Sequence, residues 1–274
     1  AAQVVPAARR LAREHYIDLN AVMGSGPSGR VLQADVEAAI AARSAPTGEG
    51  VPLSGMRRAI AESMMESVRT TAPVTLMVEA DVTEANRLRE ELVGRWRSEG
   101  TRPLALTLLV KAVARALVES PDLNATLSGS RLRRHDEVAI GFAVSVPEGL
   151  ILPVVRNAHA RSLLDVNRDL LDLASRARKG MLTPSEITGA TFTITDLGGL
   201  EVDTFTPILV PPQVAILGVG REIEKPVVRD GQIVVRSMMA LSLTFDHQAT
   251  DGAPSGRFLQ GVKRGLEDLG WMAG

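Results

Sequence analysis

Residues 237–269 read SMMALSLTFDHQATDGAPSGRFLQGVKRGLEDL. Met239, Leu241, Leu243 and Phe245 alternate with Met238, Ala240, Ser242 and Thr244, the period-two pattern of a strand whose two faces differ. The strand runs directly into Asp246-His247-Gln248-Ala249-Thr250-Asp251-Gly252. Pro254 stands where a first helical turn tolerates it, with Asp251 or Gly252 as the cap. Phe258, Leu259, Val262, Leu266 and Leu269 follow at helical spacing. A strand, a short polar loop and a helix thus place one imidazole, His247, at a strand end, with the Asp251 carboxylate four residues on. That is a candidate general base beside an acidic neighbour, and a purely structural hydrogen-bonding histidine is the alternative.

Working outward, the 274 residues suffice for one large domain and a small one. Lys+Arg 31 against Asp+Glu 32 gives a net charge of -1, and no basic block with interleaved aromatics marks a nucleic-acid surface. No apolar run reaches the ~18 residues that a membrane span needs. Cys is 0, which excludes disulfides, thiolate metal sites and a protein thiol nucleophile, and no metal is expected. Any thiol chemistry must arrive with the substrates. The expected location is the cytoplasm, with a mitochondrial matrix setting left open because the chain starts at Ala1 and not at Met.

Residues 1–43 read as a very small helical unit. Ala8, Leu11, Ala12 and His15 share one helical face after Pro6, residues 17–22 form a short turn, and Val36, Ala39 and Ile40 line a last helix. Gly24-Ser25-Gly26-Pro27-Ser28-Gly29 matches G-x-G-x-x-G, but no strand precedes it and no βαβ unit surrounds it, so a dinucleotide site is rejected in favour of a loop needing positive φ. Residues 44–50 (SAPTGEG) read as a linker.

The large domain is expected over 51–274. Helices are predicted over 52–69, around Ala85, Leu88, Leu92 and Trp96, around Leu106, Leu109, Val110, Val113 and Leu117, and from Leu163 to Ala177. Strands are predicted at 74–80, 138–146, 150–155 (broken at Pro153), 191–195 and 214–219. Asp230-Gly231 between Val227-Val228 and Ile233-Val234-Val235 is a two-residue hairpin turn of the type that wants positive φ at both positions. Adjacent hairpin strands with intervening helices make the fold class α/β with a mixed sheet, not a doubly wound parallel one.

The DHxxxDG motif at 246–252 and its apolar helix resemble the active-site motif of the dihydrolipoyl acyltransferases, core components of 2-oxo acid dehydrogenase complexes. Further matching landmarks are Met56-Arg57-Arg58-Ala59-Ile60-Ala61, Gly149-Leu150-Ile151-Leu152-Pro153-Val154-Val155, Phe192-Thr193-Ile194-Thr195-Asp196-Leu197-Gly198 and Phe205-Thr206-Pro207-Ile208. Pro211-Pro212-Gln213-Val214-Ala215-Ile216-Leu217-Gly218 is another. Residues 6–14, 17–19, 24–26 and 29–36 resemble the peripheral subunit-binding domain of the same family. With it included, nearly every residue outside the linker takes part. The resemblance implies a chloramphenicol acetyltransferase-like catalytic domain preceded by a small all-α subunit-binding domain, and it makes chloramphenicol resistance and peptide condensation poor fits.

The implied reaction moves an acyl group, acetyl first, then branched-chain and succinyl, from the thiol of dihydrolipoamide to that of coenzyme A. The lipoyl group would come from a carrier domain not in this sequence. A free thiol has a pKa near 8.5, so a base is needed, and the resemblance gives that role to His247. It puts an oxyanion-stabilising hydroxyl at Thr195, where the family uses Ser; by pattern alone, Thr191, Thr193 and Thr195 simply line one strand face. Asp251 would orient the imidazole, paired with Arg57, and can cap the helix as well. Gln248 departs from the Arg most often found after the motif histidine. Arg9, Arg13 and Arg30 are the implied contacts to lipoamide dehydrogenase or to the thiamine-dependent decarboxylating component, with ordinary solvated charges as the alternative. The family brings the histidine and the hydroxyl together from neighbouring subunits, which implies a homotrimer and, beyond it, a cage. Apolar Leu269, Trp271 and Met272 at the chain's end fit such an assembly unless they fold back on their own core. The competing reading is a non-catalytic scaffold that tethers lipoamide dehydrogenase.

Overall fold

A computed structural model of the chain describes residues 3–44, 51–53, 55–147 and 149–272. They divide into two units, Ala1–Leu53 and Ser54–Gly274. Apart from Ser44, the linker expected at 44–50 lies outside the described residues.

In the first unit, α1 (Pro6–Glu14) and α2 (Gln33–Ser44) enclose a minimal core of Ala8, Ala12, Val31 and Val36, with Val5, Leu11, Ile17 and Ile40 partly buried around it. His15 does not share the apolar face assigned to it. It is exposed because α1 ends one residue earlier and the chain turns at Tyr16, φ 52°. The glycine loop has the expected positive φ at Ser28 (59°) and Gly29 (74°), and a second demand for glycine besides. Of Gly24, Gly26 and Gly29 only Gly29 has positive φ (74°), whereas a Cβ on Gly24 would lie 2.4 Å from the Gly29 carbonyl oxygen. Close backbone approach demands glycine there. Asp35 accepts hydrogen bonds from Ser25 N (2.9 Å) and Leu32 N (2.8 Å), and bonds to Ser25 and Leu32 hold its carboxyl below the usual range. A carboxyl with a lowered folded pKa stabilises fully above its unfolded value, about 3.9, and loses that contribution as pH falls through the folded pKa. An NMR titration should therefore place the Asp35 midpoint below that of a model aspartate, and a midpoint at or above it refutes the two bonds.

The second unit runs α3 (Gly55–Thr70), β1 (Pro73–Asp81), α4 (Thr83–Arg95), α5 (Ala105–Glu119), β2 (Ala125–Ser128), β3 (Arg131–Arg134), β4 (Ile140–Phe142) and β5 (Val144–Val146). It continues through β6 (Gly149–Ile151), β7 (Val154–Val155), α6 (Leu163–Arg178), β8 (Phe192–Asp196), β9 (Ala215–Arg229), β10 (Gln232–Asp246) and α7 (Gly252–Glu267). One six-stranded mixed sheet has the order β1-β10-β9-β8-β4-β7. The β8–β9 and β4–β8 pairs are parallel and the others antiparallel.

Alternation sorts the two faces of this sheet. Leu241, Leu243 and Phe245 of β10, Leu217 and Val219 of β9, and Phe192 and Ile194 of β8 are buried in one core with α5 and with Phe258, Leu259, Val262 and Leu266 of α7. The Phe192 and Phe258 rings meet at 5.5 Å, a tilted contact. Met239 is only partly buried because the β9–β10 register shifts between Met239 and Leu241, a bulge that breaks the alternation. Asp230 (φ 49°) and Gly231 (φ 77°) make the expected hairpin turn.

Two local expectations change, the break at Pro153 holds, and one hairpin has no counterpart in the expectations. The apolar run 138–146 is not one strand: the chain leaves the main sheet after Ala143, whose N–H still bonds Ile194 O of β8 (3.1 Å), and β5 pairs with β6 in a separate ribbon. Pro153 ends β6 because it has no N–H to donate. The β2–β3 hairpin, turning at Gly129 (φ 56°), escapes detection because its strands have four residues each and little apolar alternation. Finally, Leu269 and Trp271 pack on the core, Met272 is buried, and Trp271 Nε1 donates to Gly265 O (3.2 Å) with Arg115 over the ring. These residues fold back on their own unit, so they are no argument for an assembly.

Candidate active site

On the other sheet face, Ile216, Gly218 and Gly220 of β9 lie beside Thr193 and Thr195 of β8, paired as Thr193↔Ile216 and Thr195↔Gly218. The segment 202–210 crosses this face at a distance that glycine alone permits. A Cβ on Gly218 would lie 2.9 Å from the Phe205 ring, and one on Gly220 would lie 1.8 Å from Asp203 O. Gly220→Val should accordingly cost about 3 kcal/mol or more, read as a lower urea midpoint, and an unchanged midpoint would refute this packing.

Between that segment and α3 lies an apolar cavity of about 560 Å³. Met56, Ile60, Ser63 and Met64 of α3 line it at helical spacing, opposite Thr193, Thr195, Phe205 and Ile216. Thr193 is buried and donates to Gln213 Oε1 (2.7 Å). Thr195 is half-buried at the cavity wall, and no hydrogen bond of its hydroxyl is seen among the described residues. The neighbouring Asp196 has its carboxyl pushed above the usual range by desolvation, against a bond from Gly198 N (2.8 Å). The sequence predicts the α3 helix but carries no signal that one of its faces lines a cavity with Thr195.

His247 lies in the turn after β10. Its N–H donates to Ala72 O (2.9 Å), and its ring sits 5.6 Å from Phe245. The ring is not buried: 45% of the side chain is exposed. Nδ1 lies 3.6 Å from Asp251 Oδ1. Asp251, not Gly252, is the N-cap of α7, and its carboxylate makes no capping bond, which leaves it facing the imidazole. Nδ1 turned towards a carboxylate leaves Nε2 as the atom able to take a proton.

The sheet separates the two candidate groups. Thr195 pairs with Gly218, Gly218 pairs with Ser242, and His247 lies five residues beyond Ser242. At ~3.3 Å per residue along β10 and ~4.8 Å per strand across, the backbone positions are about 20 Å apart. Helix α3 spans the gap between the two groups. Its first turns line the Thr195 cavity, whereas Thr70 O at its end accepts from Gln248 Nε2 (2.8 Å) beside His247. Arg57 is in the first turn and is thus about 20 Å, thirteen residues at ~1.5 Å, from the end that adjoins Asp251's loop. In the small unit, Arg9 and Arg13 are exposed on α1 with Arg10, and Arg30 Nη2 donates to Gln3 Oε1 (3.2 Å). Among the described residues, no group of three or more His, Asp or Glu could hold a metal ion.

Residues 45–273 match the catalytic domain of the 2-oxoacid dehydrogenases acyltransferase family. The chain belongs to this family. Residues 2–37 of the acyltransferase match the E3 binding domain. It is 36% identical over 275 residues to the dihydrolipoyllysine-residue acetyltransferase component of the acetoin cleaving system of Bacillus subtilis, covering 97% of this chain and 69% of that protein. It is 39% identical to the lipoamide acyltransferase component of the branched-chain alpha-keto acid dehydrogenase complex of Pseudomonas putida, covering 96% of this chain and 65% of that protein. The acyltransferase thus spans about two thirds of the length of these relatives. Its structure superimposes on that of Azotobacter vinelandii dihydrolipoamide acetyltransferase with a TM-score of 0.79 and 36% identity, covering 82% of this chain and 94% of that one. The work on that enzyme concerned the role of a serine, a histidine and an asparagine in catalysis, with the histidine 52 residues after the serine and the asparagine four further on. No helix among the described residues is long and apolar enough to cross a membrane.

Proposed function

We propose that the protein transfers an acyl group, acetyl first, from dihydrolipoamide to coenzyme A as the core component of a 2-oxo acid dehydrogenase complex, at a site shared between two copies of the chain. The observation that carries this reading is the double separation along α3. Thr195 and His247 of one chain are about 20 Å apart, and so are Arg57 and Asp251, so one second copy, laid with its His247 loop at the first copy's Thr195 cavity, satisfies both pairs together. The spacing of 52 between Thr195 and His247, and of four to Asp251, equals that of the three residues probed in the Azotobacter enzyme and supports the same assignment, with Thr for serine and Asp for asparagine.

In this reading His247 Nε2 removes the proton of the coenzyme A thiol, the thiolate attacks the thioester carbonyl, and the Thr195 hydroxyl donates to the oxyanion. Collapse of the tetrahedral intermediate then breaks the bond to the dihydrolipoamide sulfur, which leaves as a thiol by taking the proton back from the imidazolium. Asp251, 3.6 Å from Nδ1, places a negative charge beside the imidazole that favours the imidazolium formed in the reaction, and takes a charge partner in Arg57 of the other copy. Among the described residues the wall of the apolar cavity beside Thr195 has no cationic side chain, which favours acetyl or an apolar acyl group over succinyl. The family resemblance supports a homotrimer, a ring in which each copy gives its His247 loop to one neighbour and takes a loop from the other, and such trimers would be the units of a larger cage. The lipoyl group comes from a carrier domain outside the sequence, and the E3-binding unit recruits lipoamide dehydrogenase, or the thiamine-dependent component, through Arg9, Arg13 and Arg30. The bacterial relatives support a cytoplasmic setting. The test is transfer from a panel of synthetic acyl-dihydrolipoamides to coenzyme A alongside a mass measurement in solution. A monomer inactive on every acyl group would leave only the scaffold.

A further inference from the structure

We propose that Gln248 is a positioning residue that aims the His247 imidazole. Among the described residues the ring has no side-chain hydrogen bond to fix it, since the 3.6 Å to Asp251 Oδ1 exceeds hydrogen-bond range. Its direction therefore depends on the backbone of the loop that carries it. Two flanking side chains hold that loop. Asp246, 3% exposed, accepts from Ala72 N (3.0 Å) and Gln248 N (3.0 Å) through Oδ1. The Gln248 amide nitrogen then donates in two directions, to Thr70 O (2.8 Å) and to Asp246 Oδ1 and Oδ2 (3.2 and 3.3 Å).

Thr70 is the last residue of α3, whose final carbonyls have no intrahelical donor. A primary amide offers two N–H groups, one for each acceptor. Gln248 thus ties the end of a strand to the end of a helix across the one residue whose ring faces outward. It does so as a neutral donor. Gln248 is exposed, and hydrogen bonds open to water contribute little to global stability, so the tie acts on geometry. Misplacing a reacting group by ~1 Å can cost ~10²-fold in rate.

This inference rests on the reading of His247 as the base, and the test separates the two. Steady-state transfer from acetyl-dihydrolipoamide to coenzyme A is measured on the full chain for wild type, Gln248→Met, Gln248→Ala, Gln248→Arg and His247→Ala, together with Tm and solution mass. Gln248→Met, which keeps the length but not the donors, and Gln248→Ala should lower kcat about 10- to 100-fold with KM for both substrates within about twofold and Tm nearly unchanged. Gln248→Arg, whose guanidinium reaches both acceptors, should recover most of kcat. A Gln248→Met enzyme with wild-type kcat beside an inactive His247→Ala overturns this inference alone. So does a loss that appears in KM, or one that follows Tm and is not recovered by Arg. Equal rates for wild type and His247→Ala overturn the base assignment and this inference with it.

Discussion

Replacing His247 with Ala should lower kcat for acyl transfer to coenzyme A by about 10²–10⁴-fold while leaving the fold and the solution mass intact. The size of the effect follows from the thiol. With a pKa near 8.5, only a small fraction of coenzyme A is thiolate at neutral pH, so the residual rate without the base is carried by that fraction. The fold should tolerate the change because the side chain is half exposed and makes no hydrogen bond whose loss would strand a buried partner. Residual activity should rise with pH, since added hydroxide then does what the imidazole did. A His247→Ala enzyme as fast as wild type at pH 7 would remove the acid–base reading.

Thr195→Val should lower kcat by about 10²–10³-fold, the typical cost of one oxyanion donor, with little change in KM. Valine keeps the branched shape on a half-buried strand, so the variant isolates the hydroxyl. Coexpression gives the sharper result. If each site takes its histidine from one chain and its hydroxyl from another, randomly mixed trimers of His247→Ala and Thr195→Val chains contain a complete pair at about one interface in four. Two nearly inactive parents should therefore yield about a quarter of wild-type activity. Mixed assemblies no faster than their parents would mean that the two residues do not share a site, and would leave Thr195 as a strand residue at a cavity wall.

Much of this site is legible along the chain. Strand β10, the loop at 247–250 and helix α7 are written in the alternation to Phe245, in Pro254 and in the helical spacing of Phe258, Leu259, Val262 and Leu266, because each depends on residues within a few positions of one another. The hairpin at Asp230-Gly231 is legible for the same reason. What does not show is where a run of one character is divided by distant partners. The stretch 138–146 looks uniform, yet its last residues leave the main sheet after Ala143 because Val144, Ser145 and Val146 pair with Ile151, Leu150 and Gly149 of β6. Trp271 and Met272 look like interface residues because nothing local says that their own α5 and α7 receive them. Gly218 and Gly220 look like ordinary strand glycines until the segment 202–210 is laid across them.

Sequence alone determined the family, the two kinds of domain, the imidazole with its carboxylate four residues on, and the hydroxyl 52 residues before it. It did so because motif spacing and side-chain periodicity are local properties. Only the tertiary structure decided that His247 and Thr195 stand about 20 Å apart. That distance is set by the strand order β8-β9-β10 and by the pairing of Thr195 with Gly218 and of Gly218 with Ser242, contacts between residues far apart in the chain that no local pattern encodes.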